Sequence, residues 1–217
     1  LVDLTIAPLS SLWDFTGEDA SVPDQAAVDE ALVHVDYHNL LLQSGTVTLT
    51  DPEASIDLGF IAKGYIADRL KEYLESKNVT SAVISLRGNI LTIGHRIDGT
   101  AFQIGIQNPF DLTGSSIAVL SVDDQSLVTS GVYERCFETD DGTLYHHLLN
   151  AHTGFPENND LLSVTILSSS SMEGDALSTT CYLLGLNKGL ALIRSLEDTE
   201  AVFITQDYEL VYSNESE

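Results

Sequence analysis

An amphipathic helix running straight into an antiparallel hairpin constrains the fold of this chain more than any other feature. In residues 61–76, Ala62, Ile66, Leu70 and Leu74 recur at helical spacing, with Asp68, Arg69, Lys71 and Glu72 largely off that stripe. Two short apolar runs follow, Ala82–Leu86 and Ile90–Ile93, linked through Arg87-Gly88-Asn89, which reads as a hairpin turn. Parallel strands need long crossovers, whereas strands joined by tight turns are antiparallel neighbours. The fold class expected is therefore α/β in the sense of an α+β sandwich, with mixed, largely antiparallel sheets and helices rather than a doubly wound parallel sheet.

The remaining pattern repeats this grammar. Residues 24–33, after Pro23, read as a short helix through Ala27, Val28, Ala31 and Leu32. Thr46–Thr50 alternates as a strand and stops at Asp51-Pro52. Further strands are expected at Ala101–Ile106, Ser116–Val122 and Leu161–Leu167, with a turn at Asn108–Asp111. The serine run after Leu167 should cap a helix that holds Asp175 and ends near Gly185. A helix over residues 187–195 leads into Ala201–Thr205 and Glu209–Ser213, a closing hairpin, and Asn214–Glu217 reads as a frayed end.

Two distant segments carry the chemistry. Ile56–Tyr65 passes from an apolar stretch through Gly59 into a helix, so unpaired N–H groups and Lys63 meet where phosphate is readily held. Asp175 and Thr179 are four residues apart and share one helical face. A carboxylate and a hydroxyl joined by a backbone carbonyl form an all-oxygen set that suits magnesium rather than zinc. Phosphoryl transfer is the chemistry these residues suggest. Each has a plainer reading: Asp57 as a helix cap, Lys63 as a surface residue, Asp175 and Thr179 as a cap and a surface hydroxyl. Taken alone, His147 reads as a packed strand histidine, and Thr129-Ser130-Gly131 reads as a turn.

Composition narrows the partners. With 9 Lys+Arg against 33 Asp+Glu, the formal net charge is -24. Nucleic-acid affinity comes mainly from basic side chains on phosphates, so no nucleic-acid partner is expected, and anionic membrane surfaces are disfavoured. An acidic protein that binds a diphosphate needs a local cation. Cys136 and Cys181 lack any CxxC spacing and read as buried small hydrophobes. No run reaches the roughly 18 apolar residues of a membrane span. The opening Leu1-Val2-Asp3-Leu4-Thr5-Ile6 already looks packed, which suggests that a beginning, and any targeting signal, is missing.

Taken together, Ile56–Leu70, Leu86-Arg87-Gly88-Asn89, Val128–Arg135, His146–Pro156 and Asp175–Thr179 resemble ApbE-type FAD:protein FMN transferases in order and spacing. The resemblance covers nearly the whole chain, residues 1–217, as one domain of this type whose first part lies before Leu1. It implies magnesium-dependent transfer of FMN from FAD to a Ser or Thr hydroxyl of an acceptor protein, with a phosphoester formed and AMP released. The runner-up readings are FAD hydrolysis to FMN and AMP, or flavin binding without turnover.

By the same resemblance, Asp175, Thr179 and the carbonyl of Phe60 would ligate the metal. Leu1, Val2, Asp3, Asp57, Lys63 and Leu148 would contact FAD, and His147 would be the catalytic base. Arg87 stands where that family usually has glycine, Phe60 where it has a small residue, and Asn150 where it has a carboxylate. Such proteins are usually exported and often lipid-anchored, so an extracytoplasmic location is implied.

Overall fold

The computed structural model describes residues 2–17, 20–111 and 113–214. In chain order the elements are α1 (Ala7–Ser10), α2 (Gln25–Leu32), β1 (Leu40–Gln43), β2 (Thr46–Leu49), α3 (Gly59–Ser76), β3 (Ala82–Leu86), β4 (Asn89–Ile93), β5 (Phe102–Gln107) and β6 (Ser116–Val122). They continue as β7 (Ser126–Gly131), β8 (Cys136–Glu138), β9 (Leu144–His146), β10 (Leu161–Ser168), α4 (Ser171–Leu184), α5 (Leu186–Arg194), β11 (Glu200–Thr205) and β12 (Leu210–Tyr212). Helices with antiparallel sheets bear out the α+β expectation; every pairing among these strands is antiparallel. Among the described residues, no helix is long and apolar enough to cross a membrane.

The chain divides into two compact units. The first comprises Leu1–Leu58 and Glu134–Asn158. Its core gathers Leu9, Trp13, Val28, Ala31 and Leu149, with Phe15, Phe137, Tyr145 and Phe155 packed around them. The Trp13 and Phe15 rings stack at 5.3 Å, and the indole N–H donates to the Gly154 carbonyl at 3.1 Å. Asp24 caps α2 by accepting from the Ala26 amide, so the helix starts where Pro23 leaves the chain extended.

The second unit comprises Gly59–Tyr133 and Asn159–Glu217. Its six-stranded sheet runs in the order β12-β11-β10-β7-β4-β3, and α3, α4 and α5 pack on it. β7 is central, although Thr129-Ser130-Gly131 also reads as a turn in the sequence. Its serines and terminal glycine weaken the strand signal, and pairing with β10 and β4 overrides it. The expected hairpin is present with Arg87 and Gly88 both at positive φ (41° and 81°), the mark of a two-residue turn that matches strand twist. Arg87 is exposed and points outward from that turn. Ser170 caps α4, and Gly185 separates it from α5. Cys181 is fully buried, whereas Cys136 is only half-buried, near the aromatic end of the first unit.

Candidate functional site

In the second unit, α3 and α4 touch where α3 has no side chain. A Cβ on Gly64 would lie 2.2 Å from the Ser171 carbonyl oxygen and 2.6 Å from Met172 Cα, so only glycine permits this approach. Asp68, one turn further along α3, completes the join. Its carboxylate accepts from the Ser171 amide at 2.8 Å, the Met172 amide at 3.0 Å and the Ser170 hydroxyl at 2.9 Å. The two amides are unpaired first-turn donors of α4, so α3 adds to the cap that Ser170 supplies.

This docking aims Asp175 back at α3. Its side chain is 2% exposed; Oδ2 accepts from the Gly64 amide at 2.9 Å and Oδ1 from Lys63 Nζ at 3.2 Å. Phe60, in the first turn of α3, stands four residues before Gly64. A cap-and-surface reading of Asp175 therefore fails. The anion that Lys63 needs near a helix start is Asp175.

Thr179 follows one turn later on the same face, and its Oγ1 lies 3.1 Å from Ser130 Oγ on β7. Ser130 Oγ is also 2.8 Å from Ser178 Oγ, which donates to the Asp175 carbonyl at 3.0 Å. Each hydroxyl has one proton. With all three bonds formed, Ser178 spends its proton on the carbonyl, Ser130 donates to Ser178, and Thr179 donates to Ser130. The lone pairs of Thr179 Oγ1 are then left for an electropositive partner.

A divalent magnesium ion fits this donor set. Carboxylate, hydroxyl and carbonyl are hard oxygen donors, and Lys63 already occupies the carboxylate with positive charge. Among the described residues, no group of three or more His, Cys, Asp or Glu side chains gathers in one place. Asp175 alone does not neutralise a dication, so an ion held here would need further anionic oxygen ligands.

The first unit holds the other expected residues. Asp57 accepts from the Ser10 hydroxyl at 2.9 Å, and its amide donates to the Leu4 carbonyl at 2.9 Å. Asp3 accepts from the Thr5 amide and hydroxyl and from the Tyr37 amide, at 2.7–3.0 Å. Val2 is half-buried, Leu148 is buried, and Leu1 lies outside the described residues, as do residues 215–217 of the expected frayed end. The His147 amide and Nδ1 both face the Arg135 carbonyl, at 3.2 and 3.3 Å. Facing a carbonyl, Nδ1 is the ring nitrogen that donates.

The packed histidine is its neighbour: His146 is buried, its Nδ1 accepts from the Leu148 amide at 3.3 Å, and burial pushes its pKa down to about 4. Asn150 donates to Glu157 at 2.5 Å and accepts from the His152 amide at 2.8 Å. A carboxylate at position 150 would face Glu157 with like charge, which explains the amide there.

The model of the ApbE family matches residues 1–203 of this chain. The chain belongs to the ApbE family. It is 40% identical over 214 residues to the FAD:protein FMN transferase of Klebsiella pneumoniae (strain 342), covering 98% of this chain and 66% of that protein. To the FAD:protein FMN transferase of Treponema pallidum (strain Nichols) it is 38% identical over 211 residues, covering 90% of this chain and 58% of that protein. This ApbE-family chain thus spans 58–66% of the length of these curated relatives.

Among solved structures, the ApbE protein of Thermotoga maritima matches with TM-score 0.87 at 30% identity, covering 98% of this chain and 69% of that one. The flavin transferase ApbE of Vibrio cholerae matches with TM-score 0.82 at 28% identity, covering 97% and 67%.

Sequence reasoning missed Ser130, Ser178, Gly64 and Asp68. Ser178 lies inside the Asp175–Thr179 run, and Gly64 directly follows Lys63, so both were within reach of a closer reading. Ser130 and Asp68 lie inside the Val128–Arg135 and Ile56–Leu70 segments, but nothing local shows their roles, because their partners lie 48 and 102 positions away.

Proposed function

We propose that this ApbE-family chain carries the metal–diphosphate machinery of a flavin transferase that moves FMN from FAD to a Ser or Thr hydroxyl of an acceptor protein. The observation that carries the reading is the buried Asp175 carboxylate, held by the Gly64 amide and Lys63 beside a Thr179 hydroxyl with lone pairs to spare. Asp175, Thr179 and the Phe60 carbonyl would hold magnesium. When bound, that ion supplies charge neutralisation at the diphosphate, an effect worth several kcal/mol.

The residues of the chain do the rest. Lys63, 38% exposed along its side chain, is long enough to leave Asp175 and take a phosphate oxygen. Asp57 and Asp3 are the carboxylates we assign to FAD contacts, with Val2 and Leu148 as apolar neighbours. In the balanced step, the acceptor hydroxyl oxygen bonds to the FMN phosphorus as the bond to the AMP oxygen breaks. The hydroxyl proton passes to a base and AMP leaves. His147 is the residue we assign to that base. An extracytoplasmic, membrane-associated setting is part of the same proposal and rests on the family resemblance.

The test is incubation with FAD, magnesium and a threonine-containing acceptor, reading acceptor mass and AMP. An acceptor that gains the mass of FMN, with the gain abolished in Asp175→Ala, supports the reading. AMP without labelling points instead to hydrolysis, in which water replaces the hydroxyl. Neither product despite bound FAD would sink both.

A further inference from the structure

Asn89 is the polar side chain that the second unit leaves least explained. It is fully buried, and both its Nδ2 and Oδ1 lack a hydrogen-bond partner. A buried amide with no partner is costly, and its retention calls for an explanation. Its position is tightly held. The Arg87–Gly88 turn precedes it, the Thr129 amide donates to the Gly88 carbonyl at 2.9 Å, and Asn89 sits directly opposite Val128 on β7.

Residues opposite one another share a sheet face, and so do alternate residues along a strand. Asn89, Val128 and Ser130 therefore lie on one face, which α4 covers: a Cβ on Gly174 would meet Val128 Cγ2 at 3.0 Å. Ser130 is thus the diagonal neighbour of Asn89 across the β4–β7 pair. It is also the hydroxyl that ties Thr179 to Ser178.

We infer that Asn89 is a positioning residue for the cation site, acting through Ser130. Ser130 Oγ has one lone pair engaged by Thr179 and one left over. When Thr179 offers its lone pairs to a cation, the Asn89 Nδ2–H donates to the remaining lone pair of Ser130 Oγ and keeps the hydroxyl chain aligned. In the metal-free protein that donor is held in reserve, at a cost in stability. The inference rests on the metal reading above, and its test separates the two.

The experiment compares wild type, Asn89→Leu and Asp175→Ala by thermal melts, with and without magnesium plus inorganic pyrophosphate as the probe. Expected is a metal-free melting point for Asn89→Leu equal to or above wild type, together with about tenfold weaker binding of the probe, the loss of one good hydrogen bond. Asn89→Ser, which fits the same space, carries the comparison should leucine prevent folding; it retains a hydroxyl and should bind between the two.

If Asn89→Leu and Asn89→Ser bind the probe as wild type does while Asp175→Ala does not, the inference about Asn89 falls and the metal site stands. If the variants lose metal-free stability and binding in proportion, Asn89 is a structural residue and the inference is overturned. A wild type that does not respond to the probe removes the metal reading, and this inference with it.

Discussion

Lys63 and Asp175 are 112 positions apart in the chain, yet Lys63 Nζ lies 3.2 Å from Asp175 Oδ1, the amine reaching inward from a partly exposed side chain to a buried carboxylate. One partner is nearly dry and the other is wet, so the pair matters mainly to the aspartate, which is costly to bury without a counter-charge. Lysine here acts as the cation in waiting.

Lys63→Gln should therefore destabilise the metal-free protein by about 1–2 kcal/mol, discounted from a fully buried pair because Lys63 is partly in solvent. It should also let Mn2+ alone stabilise the variant more than wild type, because the competing cation is gone. Melting curves with and without Mn2+ check both; an equal Mn2+ response in the two proteins would show that Lys63 does not compete.

Gly64→Ala should be severe. The added methyl meets backbone of Ser171 and Met172, which cannot step aside as a flexible side chain would. A loss of about 3 kcal/mol or more is expected, seen as a lower urea midpoint. If the proposed metal site is real, the variant should also lose any thermal shift with magnesium plus pyrophosphate, because separating α3 from α4 removes the Gly64 amide from Asp175.

Arg87→Gly should be stabilising. Arg87 holds φ of 41°, a left-handed conformation that costs a side-chain-bearing residue roughly 1–2 kcal/mol and glycine almost nothing. Part of that gain is offset by the greater freedom of glycine in the unfolded chain. A midpoint rise worth about 1 kcal/mol in urea, with probe binding unchanged, is expected; a fall would mean that the exposed guanidinium makes a contact that outweighs the strain.

Stability should fall on mild acidification, and His146 should be the main cause. Burial lowers its folded pKa from 6.5 to about 4, so the unfolded chain takes up the proton first. The contribution is complete above pH 6.5, is lost as pH falls toward 4, and amounts to about 3 kcal/mol. His34 runs the other way. Its pKa is raised, chiefly by its hydrogen bond to Asp51 at 2.7 Å, so its contribution is present below pH 6.5 and fades as pH rises through the folded value. Asp51, lowered by the same bond, contributes above pH 3.8 and loses this as pH falls through its own folded value. Melting temperature against pH should lose its acid slope in His146→Gln and its alkaline slope in His34→Gln.

Much of this was legible in the sequence because it is local. The apolar stripe of α3, the serine cap of α4, Pro23 ahead of α2 and the Gly185 break are all set by spacing and by what single residues do to the backbone. The pairing of Asp175 with Thr179 is likewise local, since four residues make one helical turn.

What the tertiary structure alone decided is non-local, and the reason is the same in each case. β7 became the central strand because β10 and β4 hydrogen-bond it from both sides, despite a weak pattern of its own. β1, β8 and β9 were too short for a period to emerge over four, three and three residues. Ser130 joined Thr179 only because α4 crosses β7, and Asp68 found the start of α4 only because Gly64 lets two helices touch. Spacing along a chain tells which residues share a face; which faces meet depends on packing, and that depends on the whole chain at once.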